Sequence, residues 1–306
     1  MRNNIDDLNA RAAASGFDVR LASADRLEDL RLEIERRIST GEVNGDFARE
    51  RLGHFQFSPV FDGRRPASLI ITATPQPEQQ AVFRYQGREH RYLIPPTYTW
   101  DTDAPAEAAL RDFLAPLGFT LYPAVIPLKL AAVRTGLARY GRNNITYHES
   151  YGSYFRLKAF FSDMPAASDA WTEETWLPEC ANCAACARAC PTAAITTDRE
   201  VIRAERCLTY FNERPEDFPE WVKPSWFTCL VGCLYCQLAC PVDRDRDIRP
   251  RETFTFSEEE TSILITAQRE DDLTPPVRDR LERMWLLEDW QIIARNLREL
   301  LGAGGK

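Results

Sequence analysis

Apolar positions along the first 136 residues recur in two rhythms. Ile5–Ala14 has helical composition, and Phe17–Ala22 alternates as a short strand does. Ser23 can cap a following helix whose Leu27, Leu30, Ile34 and Ile38 share one face, with Gly41 and Gly45 punctuating its end. Ala67–Ala73 is a continuous apolar run and predicts a buried central strand. Ala81–Tyr85 and Glu89–Ile94 flank Gln86-Gly87 as a hairpin that Pro95-Pro96 ends. Asp103–Leu117 reads as helix, Phe119–Tyr122 as strand and Leu128–Gly136 as helix again. The pattern predicts an N-terminal α/β domain over residues 1–165, with Pro165 and the polar stretch Ser168–Glu174 marking its end.

The last segment, 251–306, reads as helical. Ser257-Glu258-Glu259-Glu260 is a capping box ahead of Ile263 and Leu264. Pro275 opens a helix carrying Leu281, Trp285 and Leu286, and a final helix carries Trp290, Ile293, Leu297, Leu300 and Leu301. That stripe has the spacing of a face packed on a core.

Between these segments, residues 166–250 are organised by cysteine. The chain has 306 residues and nine cysteines. One run is Cys180-x-x-Cys183-x-x-Cys186-x-x-x-Cys190-Pro191, and another is Cys233-x-x-Cys236-x-x-x-Cys240-Pro241. Cys207 and Cys229 stand between them. This is the spacing with which two-cluster ferredoxins hold a pair of [4Fe–4S] cubanes, the Cys before Pro serving the other cluster. It predicts a ferredoxin-like domain that moves electrons singly.

By that exchange the first cluster takes Cys180, Cys183, Cys186 and Cys240. The second takes Cys190, Cys233, Cys236 and either Cys207 or Cys229, and spacing leaves that choice open. Structural zinc is the competing use of C-x-x-C pairs, but zinc sites rarely need three cysteines at two-residue gaps plus Cys-Pro, repeated. A disulfide framework fits worse, because nine is odd and no secretory signal opens the sequence, so the reading places the chain in a reducing cytoplasm.

Composition narrows the partners. Longest apolar stretches such as Leu69–Ala73 are too short for a bilayer. The net charge of −8 disfavours general nucleic-acid binding, tRNA included, because phosphate contacts need Lys and Arg. Against that average, Lys129, Arg134, Arg139, Arg142, Arg156 and Lys158 are opposed within their stretch only by Glu149. Gly136, Gly141 and Gly152 lie among them, where a backbone can approach a ligand. His148 lies in the same stretch.

Three stretches carry a family resemblance. They are Arg134-Thr135-Gly136-Leu137-Ala138-Arg139-Tyr140-Gly141-Arg142-Asn143-Asn144, Gly152-Ser153-Tyr154-Phe155-Arg156-Leu157 running to Ser162-Asp163-Met164-Pro165, and the cysteine block with Arg206-Cys207-Leu208-Thr209-Tyr210. Together they resemble the epoxyqueuosine reductases, cobalamin-dependent enzymes with a double [4Fe–4S] domain that deoxygenate a tRNA wobble nucleoside. The resemblance covers roughly residues 120–250, and the first hundred residues follow only in outline.

It implies a bound cobalamin approached by Arg134, Gly136, Gly141, Arg142, Asn143 and Ser153. It implies a ferredoxin- or flavodoxin-type electron donor and a small-molecule or nucleoside substrate. It favours Cys207 as the last ligand, with Cys229 a buried spare. One departure is Tyr122, standing where the family carries an Asp proton donor. The resemblance makes Tyr122 the catalytic acid, as a Tyr is in related corrinoid dehalogenases. Two other functions fit the same residues: a two-cluster electron carrier without a substrate, and tRNA epoxyqueuosine reduction itself.

Overall fold

The structure, a computed structural model, describes residues 2–76, 78–98, 103–166, 169–246 and 252–302. In chain order the strands are β1 (Asp18–Ser23), β2 (Ser68–Pro75), β3 (Gln79–Tyr85), β4 (Arg88–Ile94), β5 (Leu121–Pro123), β6 (Arg139–Tyr140), β7 (Thr146–Tyr147), β8 (Phe155–Ser162) and β9 (Thr253–Phe256). The chain divides into two compact units that interleave. One comprises residues 1–76, 101–184 and 195–205; the other comprises 77–100, 185–194 and 206–306. The linear division at 165 and 250 did not anticipate this interleaving.

The first unit is built on the sheet β1-β2-β8-β5, whose pairings are all antiparallel. Successive side chains of a strand point to opposite faces, and the packing follows that rule. Ile70 and Phe160 pack with Leu8, Ala12, Leu110 and Leu114 from helices Arg2–Ala14 and Asp103–Leu114. Their neighbours Leu69, Ile71 and Phe161 pack with Leu27, Leu30, Leu130 and Ala131 from helices Leu27–Ser39 and Leu128–Arg134. The continuous apolar run therefore becomes β2, a buried central strand as predicted, with helices packed on both of its faces. Each fully buried Ile, Leu or Phe contributes about 1.5–3 kcal/mol.

The second unit takes the β3–β4 hairpin out of the N-terminal half of the chain. β9 pairs in parallel with β3, from Gln80↔Thr253 to Phe83↔Phe256, giving the order β4-β3-β9. Phe83 stacks on Phe256 with centroids 4.6 Å apart. Ile94, Leu264, Leu281, Ile293 and Leu297 complete that core. The Ser257–Glu260 capping box forms with both of its bonds. The stripe of the last helix, Trp290–Leu300, buries Trp290, Ile293 and Leu297.

The expected elements shift at their ends. Ser23 accepts from the Asp25 N–H and caps a 3₁₀ turn, Ala24–Arg26, that precedes the α-helix. The helix expected to reach Leu117 ends at Leu114 and tightens to a 3₁₀ turn, closed by Gly118 with φ +82°. Among the described residues, no helix is long and apolar enough to cross a membrane.

Candidate functional site

Cys180 and Cys183 belong to the first unit. The chain reaches them through the 3₁₀ turn Pro178–Cys180, after which the Cys183 N–H donates back to the Cys180 carbonyl at 3.3 Å. Arg142 grips the same loop. Its Nη2 donates to the Cys180 carbonyl at 2.7 Å, its Nε to the Cys183 carbonyl at 3.0 Å and its Nη1 to the Thr197 carbonyl at 3.4 Å. Its backbone N–H faces the Cys180 sulfur at 3.5 Å.

The remaining cysteines belong to the second unit. Cys186 lies in the short helix Ala185–Ala189, and the Cys190 N–H closes back onto the Cys186 carbonyl at 3.1 Å. The second run repeats this construction: Cys236 lies in the helix Tyr235–Leu238, and the Cys240 N–H bonds the Gln237 carbonyl at 2.9 Å. In both runs proline follows at once, and its restriction on the preceding residue keeps Cys190 and Cys240 from continuing the helix. The two short helices pack on each other.

Cys207 and Cys229 occupy different surroundings. Cys207 is half-buried at the start of helix Leu208–Asn212. Cys229 is only 2% exposed and forms an isolated parallel bridge with Leu93 at the edge of β4. Burial pushes its thiol up to about 12. The Cys233 thiol is also pushed up, first by burial and then by Cys207, Cys236 and Cys229, in that order. Cys207, Cys236 and Cys229 all lie near enough to Cys233 to act on its charge.

A polar clamp holds the chain entering Cys233. The Asn212 amide accepts from the Gly232 N–H at 2.9 Å and donates to the Gly232 carbonyl at 2.6 Å. Asn296, on the last helix, donates to the carbonyls of Asn212 (2.8 Å) and Leu230 (3.0 Å). Gly232 has φ +70°, and a β-carbon there would come within 2.7 Å of the Tyr98 ring. Tyr98 also donates to Glu213, and burial followed by the Glu213 charge raises its phenol well above the usual range. Nothing in the sequence singled out Asn212, because an isolated Asn in a helix carries no pattern; Asn296 lies in Ala294-Arg295-Asn296-Leu297, a terminal stretch that also resembles the family.

Tyr122 lies on β5 opposite Phe161. Its ring stacks on Phe61 with centroids 4.3 Å apart and planes 10° apart, and its hydroxyl donates to the Asp62 carboxylate at 2.9 Å. That hydrogen bond is the leading reason its phenol is raised above 10. Asp62 and Gly63 form a two-residue turn with φ +49° and +75°, bracketed by reciprocal Phe61 and Arg64 backbone bonds of 2.9 Å. Asp-Gly is a favoured pair for such a turn, so this dipeptide was the available signal for Asp62.

The basic stretch is less positive than its sequence. Arg156 pairs with Asp103 at 2.7 Å, Lys158 lies 3.5 Å from Asp103 and 3.7 Å from Glu107, and Arg134 lies 3.4 Å from Glu173. Asn143 is spent on the Tyr147 hydroxyl (3.0 Å) and the Ile145 N–H (3.2 Å), and Ser153 is buried. The Gly141 α-carbon faces Tyr147, whose ring a β-carbon would meet at 2.5 Å. Gly136, with φ +69°, ends helix Leu128–Arg134 and has open space beside it. Arg134 lies over the Trp171 ring at 5.4 Å, and Arg134 Nε and Trp171 Nε1 are buried donors with no partner. His148 is buried, its Nδ1 accepting from the Ser150 N–H (3.2 Å) and its Nε2 2.9 Å from Asp18.

Among the described residues, no three or more His, Cys, Asp and Glu groups are arranged to hold a single metal ion. A cubane makes a different demand, since its four thiolates bind four separate irons of one cage.

Residues 179–243 match the family described as "4Fe-4S double cluster binding domain". An epoxyqueuosine reductase of Pseudomonas aeruginosa is 30% identical over 149 residues, 48% of this chain and 38% of that protein. The epoxyqueuosine reductase of Leadbetterella byssophila is 26% identical over 69% of this chain and 70% of its own length. In sequence the chain is similar to epoxyqueuosine reductases over part of its length. Its match thus spans less than two-fifths of the length of the Pseudomonas relative. The fold is also shared: the structure of epoxyqueuosine reductase from Streptococcus thermophilus superposes with a TM-score of 0.69 at 17% identity, over 98% of this chain and 81% of that one. Every cysteine of the chain lies within residues 179–243, so the double-cluster match does not itself choose between Cys207 and Cys229.

Proposed function

We propose that the protein is an iron–sulfur reductase that passes electrons one at a time through two [4Fe–4S] clusters to a bound cobalamin, and there reduces a small-molecule or nucleoside substrate. The observation that carries the reading is the coincidence of two Cys-Pro-terminated cysteine runs with the double-cluster match. Cys180, Cys183, Cys186 and Cys240 hold the first cluster, and Cys190, Cys207, Cys233 and Cys236 the second. The donor chemistry fits, because soft thiolates select iron–sulfur cages. Cys207 is preferred over Cys229 because it is the more accessible thiol, whereas Cys229 is sealed beside β4.

For cobalamin the supporting observation is narrower. The orphaned donors of Arg134 and Trp171 would be satisfied by a carboxamide or phosphate oxygen. The group supplies a strongly reducing cobalt when bound, and that organometallic chemistry is its own. The chain's part is to hold a proton nearby. Tyr122 keeps its proton at the hydroxyl oxygen across the neutral range, since its phenol lies above 10. The Phe61 stack fixes the ring, and the Asp62 carboxylate fixes the hydroxyl direction until a more basic acceptor arrives.

An electron donor of ferredoxin or flavodoxin type completes the cycle. The net charge of −8 favours a small substrate over intact tRNA. The test is anaerobic equilibrium dialysis of iron-replete protein against cobalamin. Saturable binding that weakens in Arg134→Ala is expected, and iron-replete protein that retains no cobalamin would overturn the corrinoid part.

A further inference from the structure

The basic, glycine-spaced stretch forms a small hairpin, β6–β7, with Arg139 opposite Tyr147 and Tyr140 opposite Thr146. Its partners are the segments that lead into and follow the first cysteine loop. Tyr140 gives its N–H to the Thr175 carbonyl at 2.9 Å and receives the Leu177 N–H at 2.8 Å, so residues 175–177 run alongside β6. The Tyr140 ring lies 5.3 Å from that of Trp176. On the other side Asn144, held at φ +54°, donates to the Glu200 carbonyl at 3.1 Å and accepts from the Ile202 N–H at 2.6 Å. Between these two anchors, Arg142 reaches the carbonyls of Cys180, Cys183 and Thr197.

We infer that this hairpin is the platform of the first cysteine loop, and that Arg142 is a positioning residue that also sets the reduction potential of the cluster held by Cys180 and Cys183. A planar guanidinium presents several donors in one fixed fork, which a single ammonium cannot reproduce. Fixing two cysteine carbonyls at once fixes the backbone that aims both sulfurs. The same side chain is always cationic. Reduction adds one negative charge to a cluster, so a fixed positive charge at its edge favours the reduced form and raises the potential. The Arg142 N–H aimed at the Cys180 sulfur acts in the same direction, because hydrogen bonds to the sulfurs also set cluster potentials. In this assignment Arg142 serves the iron site and not the corrinoid.

The inference rests on the reading that Cys180 and Cys183 hold a cluster, and it is independent of cobalamin. The experiment compares wild type with Arg142→Lys and Arg142→Gln, all purified anaerobically. Three quantities are measured: iron and sulfide per chain, the rate of iron loss to a chelator, and the two cluster potentials by electron paramagnetic resonance during redox titration. In Arg142→Gln one of the two potentials falls and iron loss quickens several-fold. In Arg142→Lys iron loss quickens similarly, while the potential falls less because the charge remains. If Arg142→Gln takes up no iron, Arg142→Lys alone decides through its loss rate. Wild-type loss rates and unmoved potentials in the iron-replete variants would overturn the inference and leave the cluster reading intact. Wild-type protein that holds no iron would overturn the cluster reading itself.

Discussion

Asn212 offers a direct measure of how firmly the second cysteine run is held. Its side chain is 1% exposed and makes two bonds to one residue, donating to the Gly232 carbonyl at 2.6 Å and accepting from the Gly232 N–H at 2.9 Å. Asn212→Ala removes both bonds and strands two buried backbone groups. Each stranded group costs about 1–3 kcal/mol, so the loss is about 2–6 kcal/mol. With a guanidinium slope of about 4 kcal/mol/M for a chain of this size, the unfolding midpoint should fall by about 0.5–1.5 M. Asn212→Asp keeps an acceptor for the N–H but loses the donor to the carbonyl, and should also lose stability. Asn296→Ala frees the carbonyls of Asn212 and Leu230, the two segments that the clamp joins, so the double variant should lose less than the sum of the single losses. The assay is anaerobic denaturant unfolding of cluster-loaded protein, followed by far-ultraviolet circular dichroism. An Asn212→Ala midpoint within about 0.2 M of wild type, at unchanged slope, would show that water replaces the clamp at little cost.

The other predictions concern the sulfurs, the phenol and the buried imidazole. Cys207→Ala should lose the iron of one cluster while Cys229→Ala keeps wild-type iron, and equal iron in both would refute the ligand assignment. Asp62→Asn should bring the Tyr122 phenol back down toward 10, because the carboxylate is its main cause of elevation. The phenolate absorbance, with the Tyr122→Phe protein subtracted, reads this titration, and an unmoved midpoint would mean the pair is not formed. Burial depresses the His148 imidazole below 6.5, outweighing Asp18. The unfolded chain then binds a proton that the folded one refuses, so this stability is present above 6.5 and is lost as pH falls through the folded value. His148→Gln should flatten that part of the pH–stability curve, and a curve of wild-type steepness would contradict the sign.

Much of the fold was legible because its signals are local. The apolar run 67–73, the Gln86-Gly87 hairpin and the Ser257 capping box each dictate their own geometry, and each formed. What could not be read is non-local. The pairing of β3 with β9 joins residues some 170 apart, and no local rule predicts such a partner. The same holds for charge: the sequence shows Arg156 and Lys158 in a basic stretch, but Asp103 and Glu107, far from both along the chain, pair with them. At the candidate site the cysteine spacing was informative because a cage constrains its ligands tightly. Arg142 was noticed for its charge and glycine neighbours, yet its bonds go to the cysteine loop. The Asp62-Gly63 turn is visible in the sequence, but only the folded chain shows that it meets Tyr122.

The most direct test of the account is the metal content of protein purified without oxygen, read together with its electron paramagnetic resonance on reduction. The account predicts a brown protein with iron and acid-labile sulfide for two four-iron cages, and a signal from two interacting reduced clusters. Colourless protein carrying zinc in place of iron would contradict it.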